Sequence, residues 1–147
     1  MNNNSVPVPF GKAFLSALFS GILATMVCFV FEIWYRLATF YGPSDFINVS
    51  SIIFIVNILL LVAGVTFYAF KTLFKKGDLI YFVFFLLLMA YCLWKINGIH
   101  RFTDLKLNRE FIQLLGGIAI IVGIAALCIP YFYNNKKTSS IFYEAEV

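Results

Sequence analysis

In a chain this apolar, chemistry has to be sought among the few polar side chains inside or beside apolar runs, because hydrocarbon makes each of them costly. Glu32 is the foremost. It stands one residue past an uncharged stretch and follows a ridge at four-residue spacing: Ser16, Ser20, Ala24, Cys28, Glu32 and Arg36. A carboxyl there can serve as a proton or cation site at the mouth of a helix interface. The simpler reading pairs it with Arg36 at i+4, close to the water boundary. Asn57 is the one strongly polar side chain near the centre of an apolar stretch, on a stripe with Ser50, Gly64 and Lys71 at seven-residue intervals. An amide in lipid seeks a partner across a helix interface, worth about 0.6–2 kcal/mol. Asn57 is therefore expected to be packing glue, with contact to a substrate or ion as the alternative.

The segment from Lys95 to Glu110 holds the single histidine, His100, with Arg101, Asp104 and Glu110. A histidine with two carboxylates suggests a metal site or acid–base catalysis, but the spacing matches no ligand pattern. Ile99, Phe102, Leu105 and Leu107 interleave with these charges, which suits a loop or short helix lying on lipid headgroups. Cys28, Cys92 and Cys128 fall in different apolar runs, without the paired CxxC that thiol oxidoreductases need. No phosphate loop, nucleophile elbow or dinucleotide fingerprint occurs, so neither a cofactor nor a metal is expected, and no enzyme.

The elements that must hold these groups follow from composition. Of 147 residues 62% are hydrophobic and only 12% charged, with mean hydropathy +0.91. Soluble domains carry roughly a quarter charged residues, and disorder requires the opposite bias. A formal charge of +4 on so few ionised groups suits loops facing lipid headgroups, not nucleic acid. Four charge-free windows stand out: 13–31, 49–70, 79–94 and 111–133, and all eighteen charged residues lie outside them. About 20 helical residues cross a bilayer core, and Lys95 can extend its stem to the interface and let the third span run to residue 96. The stretch Phe82–Leu88 lacks the alternation of an outer-membrane strand. The fold expected is an all-α membrane protein, a four-helix transmembrane bundle of one domain (1–147). Its spans are about 13–31, 49–70, 79–96 and 111–133, with a polar tail at 134–147.

The first span exceeds a signal-peptide core and is expected to stay uncleaved. Asn48 or Ser50 is placed to cap the second helix, Asn108 with Glu110 the fourth, and Gly77-Asp78 to stop one helix and cap the next. Gly42-Pro43 and Asn97-Gly98 are breakers. Trp34, Tyr35, Tyr41, Trp94, Tyr131 and Tyr133 sit where aromatic belts are expected. Trp34 and Asn48 are fourteen apart, as are Trp94 and Asn108, which raises a parallel duplication of helical hairpins. An interfacial Trp, a turn and a cap would produce the same spacing in any such loop. Asn3-Asn4-Ser5 and Asn48-Val49-Ser50 match a short glycosylation pattern, the second more naturally a helix cap.

Small residues mark where helices should touch. Beside the Ser16–Ser20 ridge runs another, Ala13, Ala17, Gly21 and Thr25, and the fourth span pairs Ala119 with Gly123. Such stripes let backbones approach closely, so the first helix is expected to turn this face to the bundle or to another subunit. Pro130 falls in the last turn of the fourth span, where a mild kink is tolerated.

Phe10-Gly11-Lys12-Ala13 opens a helix rich in Gly and Ala, Asn48-Val49-Ser50-Ser51-Ile52-Ile53 heads the second, and Phe111-Ile112-Gln113-Leu114-Leu115-Gly116-Gly117 heads the fourth. With its spacing, this layout resembles small bacterial four-helix integral membrane proteins of unassigned function. The resemblance implies a bacterial cytoplasmic membrane and carries over no catalytic or binding residue. Counted over the links, six Lys/Arg share the side of the termini and five the other, which favours cytoplasmic termini. The function expected is that of a non-enzymatic accessory or assembly subunit, or a small homo-oligomer, partnered by the bilayer and by other membrane helices. The alternative is a small transporter or channel with Glu32 and Asn57 lining the path. A third class, an enzyme acting on a lipid headgroup or quinone through His100, Asp104 and Glu110, has least behind it.

Overall fold

The computed structural model describes residues 10–40, 47–99 and 103–134. They form four α-helices, α1 (Phe10–Thr39), α2 (Val49–Leu73), α3 (Gly77–Asn97) and α4 (Leu105–Asn134), with no strand among the described residues. All four are long and apolar enough to cross a membrane. The chain is a four-helix bundle of multi-pass membrane type. α1 lies along both α2 and α4, while α3 closes the far side against α4 and α2.

The ridges on α1 explain its central place. Ala13, Ser16, Ala17, Ser20, Gly21, Ala24, Thr25, Cys28 and Glu32 are all buried. Small side chains at this spacing let neighbouring backbones come close, which is how helices gain dispersion contacts where lipid removes the hydrophobic driving force. Gly64 of α2 answers this face: a Cβ there would overlap the Ala17 methyl group and lie 3.4 Å from the Ala13 carbonyl oxygen. The α1 face therefore meets the chain's own bundle. In α3, by contrast, only Gly77 and Tyr81 are buried. Leu79, Phe82, Val83, Leu87 and Trp94 point outward, an arrangement that suits a lipid solvent and would be untenable in water.

The helices outrun the charge-free windows. α1 continues through Glu32–Thr39, where a connection was expected, and α4 begins six residues before Phe111. Thirty helical residues span about 45 Å, more than the hydrocarbon core of about 30 Å. Charges are tolerated in these extensions because they lie beyond the core and pair at i+4, Arg36 with Glu32 at 2.8 Å and Lys106 with Glu110 at 3.9 Å. The C-terminal part of α1 and the N-terminal part of α4 thus overhang together at one end.

Several caps differ from expectation. Asn48 does cap α2, accepting from the Ser51 N–H at 2.8 Å. For α4 the cap is Asp104, whose Oδ1 accepts from the Lys106 N–H at 2.8 Å. Asn108 is instead buried and donates to the Ile99 carbonyl at 3.1 Å. Asn48 and Asn108 therefore do different work, and the fourteen-residue echo does not extend to their roles. Gly77 does not stop a helix but starts α3, with Lys76 at the cap position. A Cβ at Gly77 would collide with the Phe70 carbonyl and the Lys71 Cα, so the tight α2–α3 reversal demands glycine. Gly98 ends α3, its N–H donating to the Lys95 carbonyl at 3.0 Å. Phe40 ends α1 at φ 56°, its N–H donating to the Arg36 carbonyl at 2.9 Å, in the left-handed closing position usually held by glycine. Gly42-Pro43, Tyr41, Asn3-Asn4-Ser5, His100, Arg101, Phe102 and the tail beyond Asn134 lie outside the described residues.

Candidate functional site

The polar groups between the helices sort into four levels. At mid-membrane Asn57 of α2 uses both amide protons, one to Thr25 Oγ1 of α1 at 3.0 Å and one to the Ile53 carbonyl at 2.7 Å. Thr25 passes its own proton to the Gly21 carbonyl at 2.7 Å. A Cβ at Gly21 would stand 2.7 Å from Asn57 Oδ1, so glycine makes the room in which the amide lies. These three residues tie α1 to α2 where no water competes. Each bond removes an otherwise unmet donor.

A second set converges on one turn of α4. Pro130 has no N–H, so the carbonyl of Ala126 lacks its usual helical donor. The hydroxyl of Tyr81, fully buried on α3, donates to that oxygen at 2.9 Å. Ser20 of α1 donates to the neighbouring Ala125 carbonyl at 2.7 Å. The proline lies inside α4, and the turn it loosens accepts from α1 and α3 alike. Ser16, on the same ridge, donates within its own helix to the Lys12 carbonyl at 2.8 Å. Ala119 and Gly123 are half-buried, and a Cβ at Gly123 would strike the Met89 thioether of α3.

At the overhanging end Glu32 is 6% exposed and accepts from Arg36, which also donates to the Ile47 carbonyl at 2.7 Å. The guanidinium so joins the end of α1 to the segment entering α2. Tyr35, expected in an aromatic belt, is buried, with its hydroxyl 3.1 Å from the Glu110 carbonyl and 3.0 Å from Gln113 Oε1. Tyr133 is likewise buried at the opposite end, whereas Trp34, Trp94 and Tyr131 are exposed as expected. Glu32 and Asn57 do not meet. Glu32 belongs to the α1 terminus, while Asn57 engages Thr25, two turns nearer the centre.

At the end where α1 starts, Lys71 donates to both oxygens of Asp78, at 2.9 and 3.0 Å, and to Asn134 Oδ1 at 3.2 Å. Lys12 and Lys71 each stand over the Tyr133 ring, at 4.9 and 4.8 Å from its centroid. In the sequence these lysines figure as charge on the links and, for Lys71, as the last member of the Asn57 stripe. The heptad from Lys71 to Asp78 across a tight turn was the available signal for their pairing. Asp104 and Glu110 stand at the first turns of α4, in a cap and a helical ion pair. Cys28, Cys92 and Cys128 are free thiols on three different helices. Comparison of the chain with family models, with characterised proteins and with solved structures finds no match in any of the three.

Proposed function

We propose that this membrane bundle is a non-enzymatic accessory or assembly subunit, or a small homo-oligomer, that works by presenting a fixed set of helices to its neighbours. The observation that carries this is the engagement of Asn57: both its protons are taken inside the chain, by Thr25 and Ile53. A group that conducts an ion or holds a substrate has to exchange partners, whereas a group closed on its own helices sets their spacing. Glu32, closed on Arg36, follows the same logic. The small-residue ridges of α1 are already engaged within the bundle, so a partner would meet the outer surfaces, of which α3 offers the widest. We assign the lysine-richer end, with both termini, to the cytoplasm of a bacterial cell.

Purification of the full chain in mild detergent tests this. A second membrane protein in fixed ratio, or a mass that is a multiple of the chain, is the expected result. A monodisperse monomer that catalyses a pH-dependent flux in liposomes, lost on Glu32→Gln, would establish the transporter alternative instead.

A further inference from the structure

The geometry points to a binding site for the phosphate of an anionic phospholipid at the end of the bundle where α1 begins and α4 ends. Four lysines collect there among the described residues, Lys12 on α1, Lys71 on α2, and Lys75 and Lys76 on the turn into α3, against one carboxylate, Asp78. That carboxylate is fully engaged. It accepts twice from Lys71 and once from the Asn134 amide at 3.3 Å. Lys12, Lys75 and Lys76 have no carboxylate partner among the described residues. At the opposite end the described residues hold three carboxylates, Glu32, Asp104 and Glu110, for four cations, Arg36, Lys95, Lys106 and Arg109, and two of these cations form ion pairs.

Lys12 is the distinctive member. Its stem is half-buried and its ammonium rests on the Tyr133 ring, which also carries the Lys71 ammonium. Two ammonium groups gathered at one ring, with a single carboxylate between them, leave an excess of positive charge that an anion beside them offsets while both cation–π contacts stay in place. The ring is fixed for this purpose, packed edge-on against Phe67 at 5.3 Å, which in turn meets Tyr81 at 5.2 Å. The ligand is a lipid because the lysines end a membrane-spanning bundle and exposed apolar side chains adjoin them. Phe10 and Phe14 on α1 and Leu73 and Phe74 at the end of α2 all face outward, where acyl chains below a bound phosphate would run. Basic clusters at helix ends recognise phospholipid headgroups in this way.

The test is lipid retention by the full-length protein in native mass spectrometry, with phosphatidylglycerol and phosphatidylcholine of identical acyl chains. Phosphatidylglycerol should be retained in preference. Lys12→Gln should weaken its retention about fivefold, and the double variant Lys75→Gln/Lys76→Gln by about fivefold per lysine, as expected for roughly 1 kcal/mol each. The double variant changes only exposed turn residues, so a folding defect does not obscure its result. Lys106→Gln at the other end should change nothing. Equal retention of phosphatidylcholine, or an equal loss with Lys106→Gln, would overturn the site. Displacement of the lipid by millimolar inorganic phosphate would overturn the lipid assignment and give the site to a soluble phosphate.

Discussion

The bond from Tyr81 to the Ala126 carbonyl is a tertiary substitute for a missing helical one, and that makes its contribution measurable. Leaving a buried carbonyl without a donor costs about 1–3 kcal/mol, and measured interhelical bonds in membranes tend to the lower end. Tyr81→Phe should therefore lower unfolding stability in detergent by roughly 1–2 kcal/mol. In a Pro130→Ala background the residue at 130 regains its N–H, Ala126 recovers a donor within α4, and the cost of Tyr81→Phe should fall to less than half. Equal losses in both backgrounds would mean that the tyrosine acts by bulk alone. At this scale the sequence was legible where a residue's need is met nearby. Arg36 was foreseeable as the i+4 partner of Glu32, and Asn48 as the cap of α2. It was not legible where the partner is distant in sequence. Pro130 announces an orphan carbonyl, yet nothing in the chain says that a tyrosine 49 residues earlier will reach it. Tyr35 and Tyr133 were misplaced for the same reason: a tyrosine near a span's edge suits a belt and an interior equally well, and only the neighbouring helix decides.

Among the elements, the α1–α2 seam is the most extensive and the most open to a direct trial. Gly64→Ala would drive a methyl group into Ala17, forcing the helices apart at a cost of about 1–3 kcal/mol. Removing the opposing methyl group with Ala17→Gly should recover much of that loss, read as restored thermal stability in the double variant. Failure to recover would show that the seam is not set by this pair. The spans themselves were evident from charge exclusion, because hydrocarbon rejects ionised groups whatever the fold. Their ends were not, since charge-free windows report the thickness of the membrane and not the length of the helix. α1 and α4 carry on for several residues into the overhang, where ion pairs at i+4 and the Asp104 cap sustain helix outside lipid.

For the molecule as a whole, the orientation proposed above, with the lysine-richer end in the cytoplasm, is open to a direct trial. A cysteine placed at position 75, in a chain with Cys28, Cys92 and Cys128 replaced by Ala, should resist an impermeant thiol reagent in intact cells and react after permeabilisation. Labelling without permeabilisation would invert the topology. Architecture at this level was the most legible part, because four apolar spans joined by short links admit few arrangements. Which helix would sit at the centre was foreshadowed by the ridges of α1, whereas the thin attachment of α3 had no warning in its composition. That attachment bears on biogenesis. The ribosome delivers α3 to the bilayer before α4, the neighbour it leans on most, and the acceptor for its one buried hydroxyl does not yet exist. Until the last helix arrives, the newborn hairpin is held chiefly by the edge of α2 and the Lys71–Asp78 clasp, so a released chain truncated after residue 99 should expose α3 to quality-control proteolysis that the finished protein escapes.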